Sequence, residues 1–316
     1  MGTFSEAGTF EGARQRLAHV AALGATEVST LEAQRRPVAP PADAPRFPVL
    51  PLRSADKKVG VQAADAIRSR LTSAYRIRDM YVIPRADVEA ILQGSGFPPD
   101  EAPDPITARL LAAQLRGDEY LEGSVTRTPA GYRLDTRMVL TRDNSMVQPL
   151  PSAEAPKVED AARAVVASIQ EARKQLDEVR GCENALREGN AAAAATAART
   201  ALTEYPQATM ARVCLARALT TQKAPPDSII PVLEAVLAVD SMSRPALEQL
   251  GLAYKAANQV DKSVQTWGRL IRYYPNDAKL VSEVVNEIAA SGRPEIAKPI
   301  IEQAVEQNPG DPALTN

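Results

Sequence analysis

The sequence predicts two fold classes in series: an α+β front part, with a small mixed sheet and helices, and behind it an all-α solenoid of helical hairpins. Three observations carry that expectation. Between 244 and 309 one hairpin pattern is written twice, with Pro275 and Pro309 spaced 34 residues apart and the loop residues Asn258 and Gly292 spaced the same way. Between 47 and 150, strand-length apolar runs alternate with amphipathic helical stretches. Aromatic residues make up only 4% while alanine is abundant, which favours closely packed helices over a β-sandwich.

Composition narrows the function classes. With 316 residues there is room for two domains and a substantial core. Hydrophobic residues at 45% and charged residues at 24% are ordinary globular proportions. A net charge of −2, with acids and bases interspersed, offers no footprint for nucleic acid and no polybasic membrane patch. No apolar run reaches the roughly 18 residues of a membrane span. Glu6 and Glu11 interrupt the N-terminal stretch and the apolar run 20–23 is too short, so no signal peptide is expected. Glu6 also stands where a myristoylation motif has Ser or Thr.

In chain order, an N-terminal arm and proline-rich linker occupy 1–45. Residues 10–23 are weakly amphipathic and helical, and Pro37, Pro40, Pro41 and Pro45 keep the linker extended. The arm reads as a mobile tail, or as a tether that folds around a partner.

An α/β domain is expected over 46–152. It opens on Phe47-Pro48-Val49-Leu50-Pro51-Leu52, whose prolines suit a sheet edge or strand end. Over 59–75, Val59, Ala63, Ala66, Ile67, Leu71 and Ala74 share one helical face. A strand at 80–84, a short helix at 85–93 and a third helix at 106–115 follow. Strands 120–128 and 132–141 join at Pro129-Ala130-Gly131 as a hairpin, with Leu134, Thr136, Met138 and Leu140 on its more apolar face. A short strand at 146–150 completes the order β-α-β-α-α-β-β-β, an α/β sandwich.

Val49-Leu50-Pro51-Leu52, the helix ending in Leu71, Tyr81-Val82-Ile83-Pro84 and above all 118–125 followed by Gly131-Tyr132-Arg133 resemble the TolB N-terminal-like domain, related in style to the CsgG and FlgO envelope proteins. The resemblance covers about 46–150. It implies an adaptor role, often at the cell envelope, without a shared catalytic residue, and such domains are commonly followed by tetratricopeptide arrays. No β-propeller follows, so peptidoglycan-lipoprotein binding is not implied.

From 157 the pattern is wholly helical. Ala161, Val165, Ile169, Ala172, Leu176 and Val179 keep three- and four-residue spacing, and no Gly or Pro occurs before Gly181. One stiff connecting helix is expected over 153–180, running into the first repeat. About four repeats follow over 181–316. The first turns at Gly189 and stops at Pro206, and the second carries an inserted loop at 222–227 and stops at Ser241. The third has Leu250-Gly251, Tyr254, Ser263, Trp267, Leu270 and Pro275, and the fourth has Val284-Val285, Ile288, Ala297, Ile301, Ala304 and Pro309 at the same offsets. This order of large, small and breaker residues resembles the tetratricopeptide (TPR) repeat. One such hairpin cannot bury its own apolar face, so neighbours stack and leave a groove. Ile296, Ile300 and Val305 would edge the last hairpin as a dimer contact, a partner contact or tolerated exposure.

No nucleophile-elbow, zinc-protease, C-x-x-C, Walker or dinucleotide motif occurs. Gly94-Ser95-Gly96 reads as a turn, the pairs Asp100-Glu101 and Asp118-Glu119 as solvated charge, and His19 as a tail residue. No catalytic, cofactor or metal residue is assigned. Cys182 and Cys214 read as small buried hydrophobes, with a disulfide left open if the protein is exported. The TPR resemblance puts the groove on the first helix of each hairpin, at Glu183, Arg187, Cys214, Gln222, Glu248, Leu252, Lys255, Lys279, Ser282 and Asn286. That mixture suits an extended peptide or a partner helix, and equally a merely solvated face. The Lys/Asn order of the carboxylate clamp for chaperone C-termini is not reproduced.

The expectation is a non-enzymatic protein–protein interaction scaffold without cofactor or nucleic acid. Its specific form is a membrane-extrinsic accessory subunit that docks on and stabilises a larger transport, respiratory or photosynthetic membrane complex. The alternative is an envelope-associated sensory or regulatory protein binding a small ligand in the α/β domain. The resemblance favours a periplasmic or membrane-peripheral location, with the cytoplasm as the alternative.

Overall fold

Pro48 and Pro51 decide how the first strand forms, because neither has an N–H to give to a ladder. The computed structural model describes residues 41–307. In it the run 46–53 lies in the middle of the front sheet, yet only β1 (Arg46–Phe47) pairs regularly, in parallel with β2 (Tyr81–Val82). Further on, Val49 and Arg53 make single parallel bridges to Leu121 and Ser124 of β3 (Glu119–Thr128). β3 pairs antiparallel with β4 (Gly131–Leu140) along its whole length, and β5 (Val147–Pro149) and β6 (Ala153–Ala155) both add to the other edge of β4. The hairpin and the final short strand match the sequence pattern. β6 does not, since Ala153-Glu154-Ala155 carries no strand signal and forms by pairing with Tyr132–Leu134 alone.

Helix α1 (Lys57–Ala74) begins at Asp56, whose carboxylate accepts the Lys58 N–H at 3.0 Å. With α4 (Val158–Arg173) it covers the sheet face bearing Leu134, Met138 and Leu140. Helices α2 (Arg85–Gly94) and α3 (Pro105–Gln114) close the opposite face over Leu50, Ile83, Leu92, Leu111, Tyr120 and Val139.

The single connecting helix expected over 153–180 is divided. α4 stops at Arg173 and α5 (Leu176–Arg187) begins after a tightened step, in which the Lys174 N–H bonds to the Glu171 carbonyl three residues back. Gln175, wholly buried at this step, donates through Nε2 to Gln148 Oε1 at 2.9 Å and to the Ala172 carbonyl at 3.0 Å. A side-chain contact with β5 accompanies the break, and no glycine or proline marks it.

Four hairpins follow: α5 with α6 (Ala191–Glu204), α7 (Thr209–Thr221) with α8 (Pro226–Val239), α9 (Arg244–Ala256) with α10 (Val260–Tyr273), and α11 (Ala278–Ala290) with α12 (Pro294–Gln307). Each first helix ends in one left-handed residue: Gly189 (φ 76°), Lys223 (56°), Asn258 (58°) and Gly292 (80°). The next N–H in each case reaches back to the carbonyl of Ala185, Leu219, Tyr254 or Ile288, which closes the helix end. Trp267 of α10 lies on Gly251 of α9, where an added Cβ would come within 2.0 Å of the indole nitrogen. One core runs from Phe47 to Tyr254 and joins the sheet to the first three hairpins, while the last hairpin shares a second core with α9 and α10. From Ala44 to Gln307 the chain is one compact unit.

Cys182 of α5 and Cys214 of α7 form a disulfide, both fully buried with Cα atoms 6.4 Å apart. Their separation of 32 residues is close to one repeat, which sets them across neighbouring first helices. The reading as two separate buried hydrophobes therefore gives way to a cross-link between hairpins. The expected helix at 10–23, His19 and Pro309 lie outside the described residues.

Candidate partner-binding face

The first helices α5, α7, α9 and α11 stack side by side. In each, the residue six places before the left-handed turn occupies the same position: Glu183, Arg217, Leu252 and Asn286. On the first two hairpins the chain itself covers this position. Arg142 pairs with Glu183, while Arg217 reaches the Asp143 carboxylate at 3.5 Å and the Ser145 hydroxyl at 3.3 Å. β5 continues the contact. Gln148, wholly buried, accepts the Thr209 N–H at 2.8 Å and donates to the Gln207 carbonyl at 3.2 Å, and the Thr209 hydroxyl donates to the Val147 carbonyl at 2.6 Å. Met146 is buried in the shared core. Residues 142–149 thus lie along the first two hairpins as an internal ligand.

Charge at this seam is balanced by geometry. Burial would raise the Asp143 carboxyl, but the Ser145 hydroxyl and N–H and the Arg217 guanidinium outweigh it and hold the group below its usual range. Asp240, past the end of α8, is pushed up by burial. Asp277 stays low despite burial, because the Leu280 N–H and Arg244 favour its charged form.

The last two hairpins differ. Leu252 is 50% exposed and Asn286 is exposed. Around them, Glu248 accepts from Arg244 at 2.7 Å, and Arg244 also bonds Asp277 at 2.6 Å, tying one hairpin to the next. Lys255 pairs with Glu287 of α11 at 2.6 Å and stands 6.0 Å from the Trp267 ring centre, so it is engaged within the array. Lys279 is well exposed, 3.8 Å from Glu283, and Ser282 is half-buried. Glu248, Leu252, Lys255, Lys279, Ser282 and Asn286 therefore gather on α9 and α11. Glu183 is covered by Arg142, Arg187 bonds its neighbour Asn184, and Cys214 is in the disulfide. Gln222 lies past the end of α7 and pins the Ala191 carbonyl at 2.8 Å.

Residues 245–277 match the tetratricopeptide repeat family. The match is the α9–α10 hairpin with its following turn. Among solved structures, a thermophilic TPR protein of Thermus thermophilus is 20% identical, covers 49% of this chain and 86% of its own, and superposes with a TM-score of 0.37. MamA of Desulfovibrio magneticus RS-1 is 20% identical over 48% of this chain and 88% of its own, with a TM-score of 0.38. The first TPR domain of Spaghetti (RPAP3), bound to an HSP90 peptide, is 15% identical over 39% of this chain and 96% of its own, at 0.36. No curated protein matches the chain in sequence. The TPR array follows from the matched repeat together with the four equivalent turns, and TPR arrays are generally protein-interaction scaffolds.

Sequence reasoning missed Arg217 as a TPR face residue. Its signal is a 34-residue step from Glu183 and a 35-residue step to Leu252, and the one-residue insertion in the second repeat hides it. Among the described residues no helix is long and apolar enough to cross a membrane, and no three His, Cys, Asp or Glu side chains gather as a metal site.

Proposed function

We propose that this protein is a non-enzymatic interaction scaffold whose open partner site is the face of α9 and α11 around Leu252 and Asn286. The observation that carries this reading is the contrast along one repeat position: Glu183 and Arg217 are met by the chain's own Arg142 and Asp143, whereas Leu252 and Asn286 are exposed. The internal strand at the first two hairpins supports an extended segment as the partner, with an apolar side chain on Leu252 and a hydrogen-bonding one at Asn286. Glu248, Lys255, Lys279 and Ser282 would frame it. In this reading 46–152 is the TolB-N-like domain, 153–180 the connection and 181–316 the TPR domain.

The finer reading is a membrane-extrinsic accessory subunit that docks on a larger membrane complex. The Cys182–Cys214 disulfide supports an oxidising, exported location, where such cross-links persist. Capture from solubilised membranes with the purified chain, followed by cross-linking, tests both readings. Wild type is expected to retain a defined complex through α9 and α11, and Leu252→Asp to lose it with unchanged helicity. Equal capture by Leu252→Asp would move the site elsewhere.

A second reading, ligand sensing, is favoured by one cavity of about 340 Å³ where α3 and the sheet meet α5, lined by Arg116, Asp118, Thr141, Arg142, Leu176 and Arg180. That volume is at the small end of ligand sites. A melting temperature raised by a small metabolite, and lost in Arg116→Ala, would favour it over docking.

A further inference from the structure

We propose that α3 is the contact of a homodimer, paired antiparallel with the same helix of a second copy. Ile106 and Leu110, one turn apart on α3, are 73% and 56% exposed, the two most exposed large apolar side chains among the described residues. The helix already buries Ala108, Leu111 and Ala112 on its core side, so among the described residues this outer stripe, continued by exposed Ala113, is left uncovered.

Charge at the two ends of the stripe says what fits it. Asp100 and Asp104 are exposed at the N-terminal end, where Glu101 is already paired with Lys57 at 2.9 Å. Arg116 is exposed just past the C-terminal end and makes no ion pair among the described residues, and Arg109 turns back to the Thr141 carbonyl at 3.3 Å. A complement must therefore be apolar in the middle, basic over Asp100 and Asp104, and acidic over Arg116. α3 itself, reversed, has that order. A twofold axis near the middle of the helix seats Ile106 against Leu110 of the second copy and sets each acidic end beside the other's Arg116, with opposed helix dipoles. One three-turn helix per copy makes a small interface, so association is expected in the range of about 10–100 μM.

Sedimentation velocity on the full chain, from about 5 to 200 μM, tests this. A reversible monomer–dimer equilibrium is expected, weakened at least about tenfold by Ile106→Asp or Leu110→Asp with unchanged circular dichroism, since both side chains are exposed. Asp100→Arg and Arg116→Asp should each weaken the dimer, and the double variant should recover it, because the exchange restores opposite charges across the axis. A wild-type monomer at the highest concentration overturns the proposal, as does a dimer indifferent to Ile106→Asp and Leu110→Asp.

Discussion

Gln148 of β5 accepts the backbone N–H of Thr209 at 2.8 Å, so a strand of the front sheet caps a helix of the TPR array. The residue before Thr209 is Ala208, which has no side-chain oxygen to do so. Gln148→Leu strands that N–H in a buried seam and leaves the Gln175 amide with its bond to the Ala172 carbonyl alone. The expected cost is about 3 kcal/mol, read as a lower urea midpoint with sheet and array still melting together. A change under about 0.5 kcal/mol would mean water or relaxation satisfies both donors.

The Cys182–Cys214 cross-link closes a 32-residue separation. Loop-closure entropy of that length is worth about 4 kcal/mol, so Cys182→Ala with Cys214→Ala should lower guanidinium stability by that order. Adding reductant to the wild type should reproduce the loss once global unfolding exposes the bond. Equal stability of oxidised and reduced protein would show that packing alone holds α5 on α7.

Gly251→Ala places a methyl group against Trp267, which is 2% exposed and has no room to turn aside. The cost is expected at about 2 kcal/mol, with a change in indole fluorescence reporting the displaced ring. Lys223→Gly should act in the opposite sense, raising stability by about 0.5–1 kcal/mol, because φ is 56° there and glycine carries no Cβ penalty.

Acid should loosen the seam. Asp143 is depressed in the folded protein, so its contribution is present above its unfolded value of 3.8 and is lost as pH falls through the folded one. Melting temperature measured from pH 7 downward should drop more steeply below about pH 4 for the wild type than for Asp143→Asn. Asp240, raised by burial, works the other way: its contribution is greatest below 3.8 and is lost as pH rises through its folded value. Parallel acid limbs in the two proteins would remove Asp143 from the account.

By itself the sequence determined the repeat. Leu250, Gly251, Tyr254, Trp267 and Leu270 fix hairpin packing through contacts close along the chain, and Gly189, Asn258 and Gly292 fix the turns through local backbone preference, so period and residue type suffice. The front sheet was legible for the same reason wherever alternation spoke, as in β4; in the run 46–53 proline announced the interrupted pairing but not its place between β2 and β3, where an edge was the reading. Tertiary structure alone decided the break at Gln175, the pairing of β6, the disulfide and above all the fate of the groove. Those depend on residues far apart in the chain, such as Arg142 with Glu183 and Asp143 with Arg217, whose contact arises only when the sheet lies against the array. Local pattern names the face, while long-range packing chooses which half of it stays open.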